Sequence, residues 1–270
     1  MKGDFKCHND KKVDAQPFCV MEDYNKNDLP WTDNPGHITV SAQLKDIIQV
    51  DDNAKLVTFD MILGISWLES RMKIAPNSAV WIEADNYCPT QNMLDFLWKP
   101  ATDVLNIKAF KIKQVFEPQG YMWVYNNTRI YLEVPVEVTL NCPLFSFESY
   151  PLDTQLCKLY IGNYWHATDE MLYKGTLIYN SSNQRPLQYD VKEVSPMPYK
   201  YGFHNWTNYI SSNGEAIPNS IEYSYFGVKM EFKRRVQPFL LRTYLPSGLL
   251  VSCSWIGFLI DPASVPGRIA

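Results

Sequence analysis

The stretch Cys142-Pro143-Leu144-Phe145-Ser146-Phe147-Glu148-Ser149-Tyr150-Pro151-Leu152-Asp153-Thr154-Gln155-Leu156-Cys157 places two cysteines around a Tyr-Pro-x-Asp core, with fourteen residues between them. By itself such a loop fits the surface of any secreted β-protein. The sequence on either side of it therefore decides the fold.

Upstream, residues 37–44 and 55–67 carry apolar side chains at alternating positions, on either side of the polar turn Asp51-Asp52-Asn53-Ala54. That pattern predicts two antiparallel strands. Residues 116–125 and 128–141 read as a further hairpin turning at Asn126-Asn127, a pair that tolerates positive φ. Downstream, 158–162, 175–179, the region 203–210 and 221–234 continue the strand pattern, the last after a polar tip at 211–220. About ten short strands at hairpin spacing predict a mainly β fold, an antiparallel immunoglobulin-like β-sandwich over residues 37–235. Eight Trp, seventeen Tyr and thirteen Phe suit the space between two sheets.

Residues 1–36 form a polar N-terminal segment that ends in the turn signal Asn34-Pro35-Gly36. A short hairpin closed by Cys7 and Cys19 fits there, with Cys88 an equally available partner for either. Three sequons, at Asn126, Asn180 and Asn205, agree with the cysteines in pointing to an oxidising, extracellular location. No apolar run follows Met1-Lys2-Gly3-Asp4, so any signal peptide is expected to have been removed or to lie outside this sequence. The net charge of -4, without a basic run able to neutralise several phosphates, argues against a nucleic-acid partner.

The character changes at residue 236. Residues 238–260 are an apolar run interrupted by Arg242, Thr243, Tyr244 and a few small polar residues. This is about the length that spans a hydrocarbon core, so a transmembrane helix is expected over 236–260, with membrane lipid as a partner. Residues 261–270 then read as a linker and the start of a second helix.

Taken in order, these motifs resemble the Cys-loop receptors, the pentameric ligand-gated ion channels. Besides the loop, Trp67-Leu-Glu69-Ser-Arg71-Met72 is similar to the family's Trp-x-Asp-x-Arg-Leu. Trp98-Lys-Pro100-Ala101 with Asn106 is similar to its Trp-x-Pro-Asp-x-x-x-x-Asn, with Ala101 in place of the Asp. Arg234, then Tyr244-Leu-Pro246-Ser247 and Ser254-Trp255, resemble the approach to and body of the first transmembrane helix. Pro266-Gly267-Arg268 resembles the start of the second. The resemblance implies a Cys142–Cys157 disulfide, though the family spaces these cysteines by one residue fewer. It also implies a ring of five identical or homologous subunits at the plasma membrane, the binding domain extracellular and the setting postsynaptic. A small-molecule agonist would bind between subunits. An acetylcholine-binding-protein-like soluble receptor and an immunoglobulin-like adhesion ectodomain with one anchor are the alternatives.

By the same resemblance, Tyr164 and Tyr223 are aromatic walls of the ligand site, because a π-face attracts an ammonium group. Ile62, Asp103 and Leu105 stand where the family commonly has aromatic residues, and Tyr131 and Glu133 alternate onto one side of a strand facing the same cleft. Acidic groups at Asp103 and Glu133 suit a cationic amine. Asp153 and Arg234 are the expected ion pair between loop and pore domain, with Asp51 and Asp52 in a neighbouring coupling turn. Pro266, Gly267 and Arg268 lack the Glu of cation-conducting members, which favours an anion channel. No enzyme constellation is present. The four histidines are scattered, His166 with Asp169 and Glu170 reads as an exposed loop, and neither a metal nor a cofactor is expected.

Overall fold

The structure is a computed structural model that describes residues 5–10, 15–31, 35–75, 85–89, 95–113, 121–179, 188–197, 201–204, 209–210, 216–217, 221–256 and 258. Within them the strands are β1 (Phe5–Asp10), β2 (Ala15–Met21), β3 (Gly36–Asp51), β4 (Leu56–Leu68), β5 (Met72–Ile74), β6 (Asn86–Tyr87), β7 (Asp103–Val104), β8 (Ile107–Ile112) and β9 (Tyr121–Tyr125). There follow β10 (Arg129–Asn141), β11 (Thr154–Gly162), β12 (Met171–Tyr179), β13 (Tyr189–Pro196), β14 (Tyr201–His204), β15 (Tyr209–Ile210), β16 (Ala216–Ile217) and β17 (Ile221–Arg234). A seven-stranded sheet has the order β12-β3-β4-β10-β9-β6, with β8 also on β10. A five-stranded sheet has the order β13-β17-β11-β7, with β14 also on β17.

Period-two alternation places the core between these sheets. Val57, Phe59, Met61 and Trp67 of β4 and Ile130, Val136, Val138 and Leu140 of β10 are buried. The intervening Thr58, Asp60 and Ile62 face outward. Leu159, Ile161, Phe226, Val228, Met230 and Phe232 cover them from the other sheet, Phe59 and Phe232 meeting at 6.5 Å between ring centroids. Burying each such side chain stabilises the fold by about 1.5–3 kcal/mol.

The motif residues prove to be clamps. Cys142, at the end of β10, is disulfide-bonded to Cys157 on β11 and so ties one sheet to the other. The Asn106 side chain repeats that tie, donating to the carbonyls of Asn141 (3.2 Å) and Lys158 (2.7 Å). Glu69 is fully buried, an environment a carboxylate tolerates only when paired. Arg71 donates to both its oxygens, at 2.8 and 3.0 Å, and lies over the Tyr24 ring. The indoles of Trp31, Trp98 and Trp67 stack edge to face behind it.

The sandwich departs from the expected one in several places. It is not purely antiparallel, because β12 runs parallel to β3 over nine residue pairs, from Met171↔Gly36 to Tyr179↔Leu44. The long connection leaving β11 returns β12 to the edge of the opposite sheet, and a crossing of that kind permits parallel pairing where a tight hairpin does not. Strand β13 carries no alternation strong enough to have been read from the sequence. At the 126–127 turn the positive φ falls on Thr128 (62°), the residue that follows the Asn pair, and its N–H bonds Tyr125 O at 3.0 Å. This is a type I turn closed by a left-handed residue. Among the N-terminal cysteines the pairing is Cys7 with Cys19, across β1 and β2, while Cys88 is free and exposed.

The transmembrane helix expected over 236–260 is not found. Among the described residues no helix is long and apolar enough to cross a membrane. The apolar run is divided into a three-residue turn α1 (Gln237–Phe239), a π-helical segment (Leu240–Tyr244) and a twelve-residue helix α2 (Leu245–Ile256). Pro246 lacks the N–H that would bond the preceding turn and crowds its carbonyl. The ladder widens just before it, Leu245 N–H bonding Leu240 O. Twelve residues rise about 18 Å, short of the roughly 30 Å of a hydrocarbon core.

Gly175 on β12 sits where the parallel edge meets the facing sheet, and a Cβ there would collide with the Phe226 ring. Gly175→Ala is therefore expected to destabilise the chain by about 1–3 kcal/mol through overpacking. Thermal melts would show Phe226→Leu restoring part of that loss. An unchanged melting temperature for the single variant would contradict this packing.

Candidate functional site

Four of the seven candidate ligand residues come together beside the five-stranded sheet. Asp103, on β7, pairs with Gly162 of β11, and the chain leaving β11 carries Tyr164 back over it. The Tyr164 hydroxyl donates to Leu105 O at 3.3 Å, and its ring meets that of Tyr223 edge to face at 6.5 Å. Partial burial raises the Tyr164 pKa, and the Asp103 carboxylate raises it further. Fully buried Asn163 holds the loop in shape, its Oδ1 accepting from the N–H groups of Trp165 (2.9 Å) and His166 (2.6 Å). Behind it Tyr173, hydrogen-bonded to Thr102 at 3.0 Å, is pushed up to about 12 by burial. Trp165, 78% exposed beside Tyr164, was not anticipated. Nothing in its spacing separates it from a core aromatic.

The other three lie elsewhere. Ile62 on β4 and Tyr131 and Glu133 on β10 occupy the outer face of the seven-stranded sheet, where Glu133 is opposite Gly64 and Pro135 is opposite Ile62. Tyr121 and Trp123 of β9 flank them, opposite Glu133 and Tyr131 respectively. Both were missed, although their i, i+2 spacing put them on one face. One chain thus carries two separate patches, each an aromatic cluster with a carboxylate.

The remaining cluster surrounds Arg234, at the end of β17 and 2% exposed. Asp153 accepts from its Nε at 2.7 Å and from an Nη at 2.9 Å, and Asp52, in the β3–β4 turn, takes the other Nη at 2.5 Å. Tyr189, fully buried on β13 opposite Arg234, donates its hydroxyl to Asp52 and sets its ring 4.7 Å from the guanidinium. Tyr150 of the loop covers the guanidinium from 5.0 Å. Asp51 takes no part, because its carboxylate accepts from Ala54 N–H within its own turn. Burial alone would raise the Asp153 pKa. The hydrogen bonds from Arg234 and Gln155 outweigh it and hold the carboxyl below its usual range. Burial likewise opposes charge on Arg234, and the two carboxylates reverse that effect and raise its pKa.

Asn126 is exposed, its amide bonded to Asp85 at 3.1 Å. Asn180, Asn205, Pro266, Gly267 and Arg268 lie outside the described residues. His166 pairs with Glu170 at 2.8 Å, and among the described residues no three metal-ligating side chains converge.

A depressed native pKa means that Asp153 stabilises the fold above its ordinary pKa, near pH 4, and that this is lost as pH falls through the native value. Asp153→Asn is expected to cost about 3 kcal/mol at neutral pH and to flatten the acid limb of the stability profile. Tyr189→Phe, which removes only the hydroxyl from Asp52, should cost about 1 kcal/mol. Denaturant melts from pH 7 to pH 3 check both. An acid limb of unchanged steepness in Asp153→Asn would exclude this carboxylate as its source.

Comparison with known proteins agrees with this architecture. The family model for the neurotransmitter-gated ion-channel ligand binding domain matches residues 19–236. The chain is 23% identical over 243 residues to a glutamate-gated chloride channel of Drosophila melanogaster, covering 88% of this chain and 48% of that protein. It is 23% identical over 250 residues to the gamma-aminobutyric acid receptor subunit pi of Bos taurus, covering 91% and 52%. With the human glycine receptor subunit beta it shares 24% identity over 241 residues, 87% and 44% of the two chains. It thus spans about half the length of the curated relatives it matches. These relatives are receptors rather than enzymes, and the ligand-binding domain they share is extracellular. The chain belongs to the neurotransmitter-gated ion-channel ligand-binding domain family.

Proposed function

We propose that the chain is the ligand-binding part of a receptor subunit at the plasma membrane that works as a ring of five, taking a small ligand between neighbouring subunits and gating an ion path. The observation that carries this reading is the division of the candidate residues into two patches on two sheets. Asp103, Leu105, Tyr164 and Tyr223 make one wall; Ile62, Tyr131 and Glu133 make another. Each wall is open on its outer side, so a ligand enclosed by both requires two chains. Ligand contact at Tyr164 and Tyr223 acts on strands β11 and β17, and β17 ends at Arg234. The cluster of Arg234, Asp153 and Asp52 is then the point where the binding domain transmits its change, shifting a closed to open equilibrium.

An anion path is favoured by the absence of a Glu next to Arg268, and one relative's name is that of a chloride channel. Voltage-clamp recording from oocytes expressing the subunit, screened with amines, amino acids and protons, tests the whole proposal.

Tyr223→Ala is expected to raise the half-maximal agonist concentration by roughly tenfold or more, the loss of one aromatic wall. Ile62→Ala should change it by less than about threefold. Equal shifts in the two variants would remove the basis for placing the ligand at Tyr223. Replacing external chloride with an impermeant anion should move the reversal potential, and a potential that follows sodium instead would refute the anion path.

A further inference from the structure

A groove of about 980 Å³ runs between the N-terminal segment and the sheet, where β3 and β10 begin and β4 ends. It lies at the other end of these strands from Asp52 and Arg234. Met21, Leu29, Trp31 and Met72 supply an apolar wall, and Leu68, 48% exposed, faces them from β4.

The charged groups of the groove are unevenly compensated. Asp23 and Asp28 stand on the side of the N-terminal segment. There Asp28 acts on Arg71, whose donors Glu69 already holds, and Lys73 lies over the Phe5 ring at 3.9 Å. The sheet side is basic. Thr39 is opposite Ser66 and Leu68 is opposite Arg129, so His37, Leu68 and Arg129 project from one face of three adjacent strands. Lys174, opposite Thr39 on β12, adds a third basic group beside them. Partial burial and this ammonium lower the His37 pKa. Arg71, Arg234 and Arg235 are each matched by a carboxylate. Among the described residues neither His37 nor Arg129 enters an ion pair, and the Arg129 side chain donates to Ser66 Oγ at 3.4 Å.

A guanidinium with open donors beside an imidazole suits a carboxylate. The apolar wall suits a hydrocarbon chain, and unbranched thioethers such as Met21 and Met72 adapt to a flexible one. A ligand ammonium on the sheet side would meet like charge.

The same wall is tied to the loop that carries Tyr164. Trp31 donates its indole N–H to Glu170 O at 2.7 Å, and the Gly36 N–H bonds that carbonyl at 2.9 Å. Gly36 permits this approach, since a Cβ there would collide with the Trp31 ring. The Glu170 carboxylate in turn holds His166 at 2.8 Å, two residues beyond Tyr164. Displacing Trp31 therefore acts on this loop.

We infer that the groove is a regulatory site for an amphiphilic monocarboxylate, a fatty-acid-like molecule taken from solution. Its carboxylate meets Arg129 and His37, its chain lies along Leu68, Met72 and Trp31, and its presence changes agonist affinity through Trp31 and Glu170. The regulatory part rests on the reading of Tyr164 as a ligand wall; the carboxylate contact does not.

Decanoate is the probe, set against decan-1-ol and decyltrimethylammonium. Calorimetry on the full chain should show decanoate binding roughly tenfold tighter than either, the worth of one charge-assisted contact. The methyl NMR signals of Met21 and Met72 should shift during the titration. Arg129→Gln should weaken decanoate by roughly fivefold or more, leaving decan-1-ol binding and the melting temperature unchanged. In oocytes decanoate should move the half-maximal agonist concentration by roughly fivefold or more. Trp31→Phe, which keeps a ring and loses the N–H, should still bind decanoate and lose that shift. Equal binding of decan-1-ol, tighter binding of decyltrimethylammonium, or decanoate binding indifferent to Arg129→Gln overturns the inference. Decanoate binding that vanishes when subunits assemble gives the groove to a neighbouring copy of the chain and overturns it as well. Binding that follows Arg129 beside an agonist response that decanoate leaves unmoved refutes the coupling through Trp31. Binding that follows Arg129 in a chain that gives no agonist current upholds the groove and refutes the intersubunit reading.

Discussion

A guanidinium buried to 2% exposure has to be compensated within the fold, and Arg234 imposes that requirement on the lower end of the sandwich. Removing an ion of this size from water costs several kcal/mol, recovered only if its donors are met in good geometry. Nε and both terminal nitrogens are met, by carboxylates from two different turns. Asp153 comes from the loop closed by the Cys142–Cys157 disulfide, Asp52 from the β3–β4 turn, and Tyr189 from β13 fixes Asp52 in place. Four chain segments therefore share one charge. None of them can shift alone without leaving a buried ion uncompensated.

The same logic governs the rest of the sandwich. Two face-to-face sheets have little to fix their relative position beyond packing, and packing of similar apolar side chains tolerates sliding. The Cys142–Cys157 bond crosses from one sheet to the other, and the three hydrogen bonds of Asn106 together join the end of β10 to β11, both at a defined register. At the opposite end Glu69, Arg71 and Tyr24 lock the N-terminal segment to the end of β4. The aromatic residues of both patches lie between these fixed ends.

This distribution explains what the sequence disclosed. Strands β3, β4, β10 and β17 were legible because a half-buried strand must alternate, and the residues that form the clamps stood out because their order resembles the motifs of a known family. The parallel pairing of β3 with β12 was not, since pairing direction depends on the path of the connection and leaves no mark in either strand's alternation. Residues 236–260 misled for a related reason. Hydropathy sums over a window without regard to backbone continuity, and one proline at 246 interrupts the helix that the sum assumes. In the candidate site, Tyr164, Tyr223, Asp103 and Leu105 were each placed by distance from a motif. Tyr121 and Trp123 have no motif beside them and emerge only when neighbouring strands are set in register, while Trp165 lies on the loop after β11 and is picked out by its exposure.

Register also determines what the exposed faces can recognise. On β10 the same alternation that turns Ile130 inward turns Tyr131 and Glu133 outward, and on β9 it turns Met122 and Val124 inward and Tyr121 and Trp123 outward. Shifting β10 by one residue would bury Glu133 in an apolar core, at a cost far above anything the outward aromatic row contributes. The core thus enforces the chemistry of the surface. A change of side chain at an outward position leaves this alternation, and the core it encloses, in place.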